Sequence, residues 1–375
     1  MDTWSFGQAL TEIESRISNA PRLIQPSLSP ESIFEVLAGL AGGGATVVGP
    51  EPETTEPGAA DLVVFTSGTT GRRKGVRFSM LNLTAAASSS AQHLGHGADD
   101  DWLLAMPLHH VGGLSIVVRQ AYTGGSITML SGFEAEEFAK AMKTTVTMVS
   151  VVPTMLRRLL DHGPFGGLRA VLVGGGPVPV GLLEEAAERG LPVLPTYGMT
   201  ETFGQVATLR PDASLEYKVH PLPGVEIRTE PDARIAVKGP QVSPGYLGRP
   251  DRPDPWFVTN DLGEIESDGA LRVLGRADTV IVTGGENVNP ERIEEVVRAH
   301  PDVDEAVVVG VEDPEWGRAL VCVYEGAGAD LSQWASERLP GFMVPKRWVR
   351  VGVIPRTSIG KPDREAAAGL AEYIG

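Results

Sequence analysis

A run of small and polar residues, Thr66-Ser67-Gly68-Thr69-Thr70-Gly71-Arg72-Arg73-Lys74-Gly75, is the strongest chemical signal in the sequence. Glycines let a backbone approach an anion closely, hydroxyls donate hydrogen bonds, and Lys74 adds a mobile cation. The spacing differs from that of a Walker A loop, which ends in Gly-Lys-Ser/Thr. An ordinary turn is disfavoured, because six hydroxyl or glycine residues precede three cations. The run therefore predicts an anion-binding loop.

Two carboxylates and one lysine stand out further along the chain. Glu201 ends the run YGMTE. Asp261 ends the run TND. Lys361 is one of only seven lysines and follows a glycine near the end of the sequence. Taken singly, Glu201 fits the N-terminus of a helix, Asp261 fits a turn, and Lys361 fits a solvated surface.

A rigid scaffold must position these residues, and the sequence pattern indicates one. Apolar runs alternate with helical patterns from Leu62 to Thr196, which is typical of parallel sheets covered by helices on both faces. Short strands and turns from Arg210 to Gly275 predict a small β-rich subdomain. From Asp278 onward the pattern is α+β. We therefore expect a large α/β N-terminal domain followed by a small α+β C-terminal domain.

The periodicity also predicts the individual elements. The predicted helices span residues 29–40, 81–93, 113–121, 134–142, 182–189, 290–299 and 331–339, with one more helix closing the chain. The predicted strands span residues 62–65, 102–106, 126–130, 147–152, 170–173, 191–196, 305–311, 319–324 and 348–353.

Composition narrows the class of protein. The chain has 375 residues and a formal net charge of −16, which argues against a nucleic-acid partner because duplex binders need a basic surface. At roughly 150 residues per domain, the length suggests two or three domains. Cys322 is the single cysteine, so no internal disulfide can form. The N-terminal residues lack a basic segment followed by an apolar one, and no run resembles a membrane span. We expect a cytoplasmic protein.

The chemical motifs occur in an order that resembles the adenylate-forming superfamily of acyl- and aryl-CoA synthetases, adenylation domains and luciferases. The loop at 66–75 resembles its phosphate loop. The other matching motifs are YGMTE at 197–201, TND at 259–261, GRAD at 275–278, GGEN at 284–287 and PRTSIGK at 355–361. The resemblance extends from about residue 62 to residue 365. It implies ATP with Mg²⁺, CoA as a co-substrate, and an acid as the group that is activated.

The resemblance also implies roles for individual residues at the ATP site. Tyr197 would lie against adenine, Asp261 would accept hydrogen bonds from the ribose, and Arg276 would donate to the ribose region. Thr200 would contact the phosphate and Glu201 would bind Mg²⁺. The remaining ATP-binding candidates are Thr66, Ser67, Gly68, Thr69, Thr70, Gly71, Lys74, Gly175, Gly176, Pro177 and Gly198.

Catalysis and CoA binding would involve the C-terminal region. Lys361 would bridge the acid carboxylate and the α-phosphate, where a point cation suits the charge. Asp278 would be a hinge between an adenylation domain, 1–277, and a mobile lid domain, 278–375. After adenylation, rotation would withdraw Lys361 and bring up a path for pantetheine lined by Gly284, Gly285, Glu286 and Asn287. The basic residues Lys346, Arg347, Arg350 and Arg356 fit contacts with the CoA phosphates and a solvated basic face equally well.

The acid pocket is implied by a further motif. The run PLHHVGG at 107–113 resembles the acyl-pocket motif of the superfamily, with His110 as a wall or gate, and Gly198 and Met199 would complete the pocket. Within the superfamily, this region and YGMTETFGQVATL look most like the o-succinylbenzoate–CoA ligases of menaquinone biosynthesis. Such an acid has a second carboxylate, for which Arg119 is the first candidate and Lys218 and Arg210 are others. An ion-paired position on a helix surface explains Arg119 about equally well.

Several alternatives stay open. The acid could be another aryl or acyl acid, the acceptor could be a carrier protein, or the chain could be an inactive scaffold relative. A homodimer is an expectation from the superfamily alone. A metal site at His93 and His96 with the acidic residues 99–101 is a disfavoured alternative, because such a grouping can arise by chance. Cys322 is expected in the core rather than as a nucleophile.

Overall fold

A computed structural model describes residues 6–25, 27–49, 60–66, 74–211, 213, 218–327, 330–356 and 362–373. None of the helices in these ranges is long and apolar enough to cross a bilayer.

The chain opens with two helices and the first strands of a mixed sheet. These elements are α1 (Phe6–Arg16), β1 (Arg22–Ile24), α2 (Pro30–Gly42), β2 (Thr46–Val48), β3 (Leu62–Phe65) and β4 (Gly75–Phe78). Helix α2 begins as predicted, because Ser29 caps the amide of Ser32 and Pro30 occupies the first turn. Strands β1, β2 and β3 are parallel, whereas β4 is antiparallel to β3. The predicted anion-binding loop therefore joins the two strands of a hairpin.

The second sheet carries most of the helices. Its region contains α3 (Met80–Leu94), β5 (Asp101–Leu104), α4 (Val111–Thr123), β6 (Ser126–Met129), α5 (Ala135–Ala141), β7 (Met148–Val151), α6 (Pro153–Leu160), β8 (Ala170–Val173), α7 (Val180–Glu188), β9 (Val193–Met199), β10 (Gly204–Thr208) and β11 (His220–Pro221). In the described ranges the strand order is β11-β10-β9-β8-β7-β5-β6. The five strands β5 to β9 pair in parallel, and β10 and β11 add an antiparallel edge.

Both faces of this sheet are buried, as predicted. Leu103 and Val171 belong to one apolar cluster, which is shared with helices α5, α6 and α7. The alternate residues Trp102 and Leu172 belong to another cluster on the side of α4. Because successive side chains of a strand point to opposite faces, one short strand contributes to two cores. This explains why the predicted strands are continuously apolar.

A β-rich region follows and closes the N-terminal part. It consists of β12 (Glu226–Thr229), β13 (Arg234–Lys238), β14 (Gly245–Tyr246), β15 (Phe257–Ile265) and β16 (Leu271–Arg276). Four of these strands form an antiparallel sheet in the order β12-β13-β15-β16. Strand β14 instead returns to the first sheet and pairs with β4. The return places Tyr246 of β14 beside Lys74, which directly precedes β4.

The C-terminal part has its own core. It contains β17 (Ile281–Thr283), β18 (Glu286–Val288), α8 (Pro290–Arg298), β19 (Val303–Asp313), β20 (Gly317–Gly326), α9 (Leu331–Ser336), β21 (Arg347–Arg350) and α10 (Arg364–Tyr373). Strand β20 is central, antiparallel to β19 and parallel to β21. Cys322 is fully buried in β20 among apolar side chains, and burial raises the pKa of its thiol. The prediction of a core cysteine is confirmed.

Both predicted fold classes are confirmed, α/β for the N-terminal part and α+β for the C-terminal part. Some of the predicted element boundaries are wrong. Strand β9 runs three residues beyond the predicted end at Thr196 and includes Tyr197, Gly198 and Met199. Its neighbour β10 extends the pairing, which a sequence pattern cannot show. The strand predicted over 348–353 ends at Arg350, and the helix predicted over 331–339 ends at Ser336. Strands β1 and β2 were not predicted.

Candidate active site

One end of the candidate site is a chain of hydrogen bonds around Asp261. The hydroxyl of Tyr197, in β9, donates to Asp261 Oδ2 at 2.8 Å. Arg276, at the end of β16, donates from Nη1 to Asp261 Oδ1 at 3.2 Å. Asp261 and Arg276 are directly paired across β15 and β16. The structure therefore brings together the three residues predicted for the nucleoside.

Arg276 also contacts the predicted hinge. Its Nε donates to Asp278 Oδ1 at 2.7 Å, and its Nη2 pairs with Asp278 Oδ2. The paired Arg276 guanidinium holds the pKa of the Asp278 carboxyl below its usual range. One arginine therefore bridges the nucleoside end and the segment that leads into the C-terminal part.

The other end of the site is formed where the hairpin loop closes. The amide of Thr66 donates to the carbonyl of Lys74 at 3.0 Å, which fixes the two ends of the loop side by side. The predicted phosphate ligands Ser67, Gly68, Thr69, Thr70 and Gly71 lie outside the described residues. Thr66 and Lys74 thus define where the loop begins and ends on the first sheet.

Tyr246 joins this loop to Glu201 and is a site residue that the sequence prediction missed. Its hydroxyl donates to Glu201 Oε1 at 2.8 Å, and Lys74 Nζ lies 5.6 Å from the centre of its ring. The amide of Ser243 holds the Glu201 carbonyl at 2.8 Å. Nothing in the local pattern Pro-Gly-Tyr distinguishes Tyr246 from any tyrosine in an edge strand. The contact depends on the return of β14 to the first sheet.

At both ends of the site, a tyrosine hydroxyl donates a hydrogen bond to a carboxylate. Burial and the neighbouring carboxylates raise the pKa values of Tyr197 and Tyr246. Both phenols therefore stay protonated and remain donors near neutral pH. Asp261 and Glu201 are held as oriented acceptors, and Glu201 is partly exposed. Such a carboxylate fits the oxygen ligand that Mg²⁺ requires.

Residues 197–201 connect these two ends directly. Tyr197, Gly198 and Met199 end β9, and Thr200 and Glu201 begin a short 3₁₀ helix over Thr200–Thr202. Four residues of extended chain span at most about 13 Å. The exposed glycines Gly175 and Gly176, with Pro177, follow the carboxyl end of β8, which is the parallel neighbour of β9. Ligands of open α/β sheets bind outside the carboxyl ends of such strands.

The predicted acid pocket starts at the beginning of α4. His110 occupies the N-cap position of this helix, and its ring lies 4.2 Å from that of His109. Gly113 must be small, because a Cβ there would lie 2.4 Å from the carbonyl oxygen of Met106. The tight packing of α4 on residues 106–107 positions His110 at the end of the helix.

Gly198 is the second small residue that the site requires. It faces Gln205 across β9 and β10, and it is exposed on its other side. A Cβ on Gly198 would lie 2.1 Å from the carbonyl oxygen of Gly204. The backbone of β9 can therefore approach a ligand closely at Gly198 and Met199.

Arg119 is buried, so its alternative placement on a helix surface is wrong. Its Nη2 donates to Gln205 Oε1 at 3.3 Å, and its guanidinium lies 5.1 Å from the centre of the Trp102 ring. Within the described ranges no carboxylate forms an ion pair with it. Burial lowers its pKa to about 10, which leaves it charged near neutral pH. Because Gln205 pairs with Gly198, a buried cation lies behind the strand that would line the acid pocket.

Of the other two candidates for the second carboxylate, Lys218 is ion-paired and Arg210 is exposed, and His96 belongs to the disfavoured metal patch. Lys218 Nζ lies 3.2 Å from Glu266 and 2.9 Å from Asp268. Arg210 is exposed at the start of the β-rich region. His96 is buried against Trp102, and burial lowers its pKa to about 4. In the part of the chain that the structure describes, no cluster of histidine, cysteine and carboxylates suits a metal ion.

The C-terminal part presents the remaining predicted residues. Gly284 and Gly285 form the tip of the β17–β18 hairpin, with φ of 57° and 84°. Two adjacent positive φ values are the requirement of a tight hairpin turn, which favours Gly-Gly. Glu286 and Asn287, the first two residues of β18, are both exposed. Lys361 lies outside the described residues.

Glu291 is a second residue that the sequence prediction missed. It lies in the first turn of α8, and its side chain is only 10% exposed. A Cβ on Gly275 would lie 2.2 Å from Glu291 Oε2, so the C-terminal helix packs directly on β16. Burial raises its pKa to about 7. The charged groups that face it are Arg364, Glu294, Asp261 and Arg276.

This burial predicts a pH-dependent stability. The pKa of Glu291 is higher in the folded chain than its ordinary 4.5, so the folded state binds more protons between about pH 4.5 and 7. The free energy of unfolding should therefore fall as the pH rises through this window, by at most about 3 kcal/mol. Glu291→Gln should remove this fall when urea unfolding is compared at pH 5 and pH 8. Glu315→Gln, an exposed change in the same part of the chain, is the control, and an unchanged slope in Glu291→Gln would contradict the prediction.

Comparisons with known proteins show which family this chain matches. The model of the AMP-binding enzyme family matches residues 8–247, and the model of the AMP-binding enzyme C-terminal domain matches residues 292–361. A 2-succinylbenzoate–CoA ligase of Bacillus licheniformis is 41% identical over 80% of this chain and 68% of its own length. One from Bacillus cereus is 39% identical over 84% of this chain and 71% of its own length.

Solved structures of a ligase for the same acid share the fold of this chain. The o-succinylbenzoate CoA synthetase of Bacillus subtilis in complex with its acyl-adenylate intermediate has a TM-score of 0.87 and 28% identity, with 98% of this chain and 93% of that chain covered. The same enzyme with ATP and magnesium has a TM-score of 0.84 and 28% identity, with 97% and 94% covered. The two family models cover the first two sheets, including Glu201, and residues 292–361 of the C-terminal part, and Asp261 lies between the two matches. The chain therefore belongs to the AMP-binding, adenylate-forming enzyme family.

Proposed function

We propose that the chain is an AMP-forming ligase that adenylates 2-succinylbenzoate and transfers the acyl group to CoA, in menaquinone biosynthesis. The products would be 2-succinylbenzoyl-CoA, AMP and pyrophosphate. One observation carries the proposal: a tyrosine hydroxyl orients each of two carboxylates, Asp261 and Glu201. The segment 197–201 joins the two places, because Tyr197 at its start donates to Asp261 and Glu201 at its end accepts from Tyr246. Similarity to ligases named for this acid supports the choice of substrate.

The N-terminal residues would bind and align ATP. Asp261, oriented by Tyr197 and Arg276, accepts hydrogen bonds from the ribose hydroxyls. The loop between Thr66 and Lys74 and the hydroxyl of Thr200 contact the phosphates. Alignment and charge neutralisation dominate this chemistry, because a carboxylate must attack a polyanion. The acid carboxylate displaces pyrophosphate at the α-phosphate, and Lys361 neutralises charge on both reacting groups.

The Mg²⁺ of the reaction would be held by Glu201. When bound, the ion neutralises charge on the phosphates and orients them. Tyr246 fixes Oε1 of Glu201 by donating to it, and so sets the direction of the carboxylate. Lys74, above the same ring, adds a second positive charge at the phosphate end. The donor set suits a hard, oxygen-seeking ion.

The acid would lie between the start of α4 and β9, with His110 as a wall and Gly198 and Met199 beside it. We assign the second carboxylate to the buried charge of Arg119. Its support is that Arg119 is only 6% exposed, that it has no acidic ion-pair partner within the described ranges, and that it contacts the cross-strand partner of Gly198.

This assignment predicts a selective loss of affinity. Arg119→Met should raise the KM for 2-succinylbenzoate about 10- to 100-fold, because a hydrogen bond to a charged group contributes about 1.5–3 kcal/mol. The KM for a monocarboxylic benzoate should change little. Lys218→Met is the matched control, since Lys218 already pairs with two carboxylates. Equal loss for both acids would instead assign Arg119 to the core.

The thioester step would use a second arrangement of the chain. We propose that residues 1–277 and 278–375 are two domains and that the backbone at Asp278 is the hinge. Rotation withdraws Lys361 and brings the hairpin tip at Gly284 and Gly285, with Glu286 and Asn287, against the acyl-adenylate. The CoA thiol then attacks the acyl carbon and AMP leaves. Two glycines at the tip permit close approach of the pantetheine arm.

The first experiment is AMP release with ATP, Mg²⁺ and CoA, comparing 2-succinylbenzoate with benzoates and short fatty acids. Turnover confined to 2-succinylbenzoate supports the proposal. Turnover with another acid overturns the substrate, and pyrophosphate release without CoA thioester directs attention to a carrier protein. A folded chain with no turnover on any acid supports the scaffold alternative.

Two further proposals concern the setting of the enzyme. We place it in the cytoplasm, in keeping with its single buried cysteine and its use of ATP and CoA. We also propose a homodimer, on the precedent of the superfamily. Light scattering of the purified chain measures the second directly.

A further inference from the structure

Gln205, in β10, holds Arg119 through its side-chain oxygen. Gln205 Oε1 accepts from Arg119 Nη2 at 3.3 Å and from the hydroxyl of Ser90, in α3, at 3.0 Å. Its Nε2 donates to the hydroxyl of Thr208. Gln205, Ser90 and Thr208 are all buried. Because arginine has only donors, the amide oxygen must face Arg119 and the amide nitrogen must face Thr208.

A chain of hydroxyls fixes the direction of this amide. Thr208 Oγ1 lies 2.7 Å from Thr196 Oγ1, in β9, and the Thr196 hydroxyl donates to the carbonyl of Ala207 at 3.2 Å. With the Thr196 proton used in this way, Thr208 donates to Thr196 and accepts from Gln205 Nε2. The network therefore gives Gln205 one direction, in which a neutral oxygen faces the guanidinium.

No carboxylate balances the buried charge of Arg119 in the part of the chain that the structure describes. The guanidinium lies over the Trp102 ring, and the ring of His96 packs on Trp102 at 5.3 Å. Burial lowers the pKa of His96 to about 4, so this ring carries no charge near neutral pH. Asp100 is bound by Arg169 through both oxygens, at 2.7 and 2.6 Å. Buried charges are normally paired, so an enclosed Arg119 without a counter-charge points to an anion that the ligand supplies.

A glycine of β10 lies beside the guanidinium. Gly204 pairs with Met199 across β9 and β10, and the next residue, Gln205, pairs with Gly198. A Cβ on Gly204 would lie 4.0 Å from Arg119 Nη2, so a side chain longer than a methyl group would press on the guanidinium. Gly204 also has a φ of 96°, which side chains rarely adopt. The backbone that would line the acid pocket therefore passes directly beside the guanidinium.

We propose that Gln205 is a positioning residue that determines specificity for a diacid: its neutral amide orients the Arg119 guanidinium without neutralising it, so that the charge remains available to the second carboxylate. The inference rests on the proposed function and on its assignment of Arg119. Gln205 does not contact the substrate in this role and acts through Arg119. A glutamate in its place would balance the charge within the protein, and the preference for a diacid would be lost.

Gln205→Glu tests this with two readouts that move in opposite directions. The carboxylate has the size of the amide, accepts from Arg119 and Ser90 as before, and accepts from the Thr208 hydroxyl instead of donating to it. The KM for 2-succinylbenzoate should rise about 10- to 100-fold, because the acid loses a hydrogen bond to a charged group. The thermal midpoint should stay unchanged or rise, because the buried cation gains a counter-charge.

Two monoacids, each lacking one of the two carboxylates of 2-succinylbenzoate, show which group the change affects. Their affinities are measured as inhibition of turnover of the diacid, so neither needs to be a substrate. The monoacid that keeps only the activated carboxylate should bind to Gln205→Glu within about twofold of the parent. The monoacid that keeps only the carboxylate facing Arg119 should weaken as the diacid does.

Gln92→Glu is the matched control. It makes the same chemical change on α3, the helix that carries Ser90, but at an exposed position. It should change neither the KM for 2-succinylbenzoate nor the thermal midpoint. If Gln205→Glu keeps the KM of the parent, the inference is overturned. It is also overturned if the diacid and both monoacids weaken in parallel with a lowered midpoint, since Gln205 is then structural only.

A double-mutant cycle tests whether Gln205 acts through Arg119. Gln205→Met removes the oxygen without adding a charge, and in the Arg119→Met background it should cause no further rise in the KM for 2-succinylbenzoate. A full additional rise would show an effect independent of Arg119 and overturn the inference. A folded parent chain that turns over no acid, or only another acid, would overturn the proposed function instead, so the two failures are distinguishable.

Discussion

Lys361→Ala should lower adenylation of 2-succinylbenzoate about 100- to 1,000-fold while thioester formation from supplied acyl-adenylate persists. Removing one fixed group that stabilises developing charge has an effect of this size in other enzymes. The acid carboxylate and the α-phosphate are both anionic, so a cation placed between them lowers the barrier rather than merely binding substrate. Pyrophosphate release and CoA consumption, measured separately, give the two rates.

The control for Lys361→Ala is another lysine that makes only a surface pair. Lys140 forms an exposed pair with Glu136 on α5, with both side chains 70% exposed. Lys140→Ala should leave both half-reactions unchanged. Parallel loss of the two half-reactions in Lys361→Ala would argue against separate domain arrangements for the two steps.

Glu201→Gln should reduce adenylation about 100- to 1,000-fold at low Mg²⁺, and part of the loss should be recovered as Mg²⁺ is raised. Glutamine keeps the oxygen that accepts from Tyr246 and removes only the charge, so the local fold is preserved. A weakened metal ligand is the physical cause of the loss, because Mg²⁺ binds carboxylate oxygens through their charge. Titration of adenylation rate against Mg²⁺ measures the shift.

Tyr246→Phe is the companion of this variant. It keeps the charge of Glu201 but removes the 2.8 Å hydrogen bond that directs it. We expect a loss of about tenfold or less, because the charge that binds Mg²⁺ remains and only an orienting hydrogen bond, which contributes about 0.5–1.5 kcal/mol, is lost. If Glu201→Gln matches the parent at every Mg²⁺ concentration, Glu201 is not the ligand.

Short-range features of the fold could be predicted from the sequence. Strand β3 spans Leu62–Phe65 as expected, because a brief apolar run bounded by turn residues has few alternatives. Helix α2 starts at the predicted cap and proline, both of which act within one turn. The order of the motifs led to the family, and family models match the chain on both sides of the predicted hinge.

Contacts between distant segments could not be predicted in this way. Tyr246 meets Glu201 only because β14 leaves the β-rich region and pairs with β4, far away in the sequence. The spacing of Arg119 along α4 fits a surface position and a core position equally well. Its burial depends on where β10 lies, because Gln205 of that strand contacts it. The local sequence pattern contains no information about pairings between such distant segments.

The amino-acid sequence by itself determined the class of fold, the motifs and the chemistry that they can support, since these depend on residue type and local periodicity. The tertiary structure alone decided which groups share a site. It placed Tyr197 and Tyr246 on the two carboxylates, enclosed Arg119 and pressed Glu291 against Gly275. The physical reason is that direction and burial of a charged group are set by everything packed around it, and those neighbours come from remote parts of the chain.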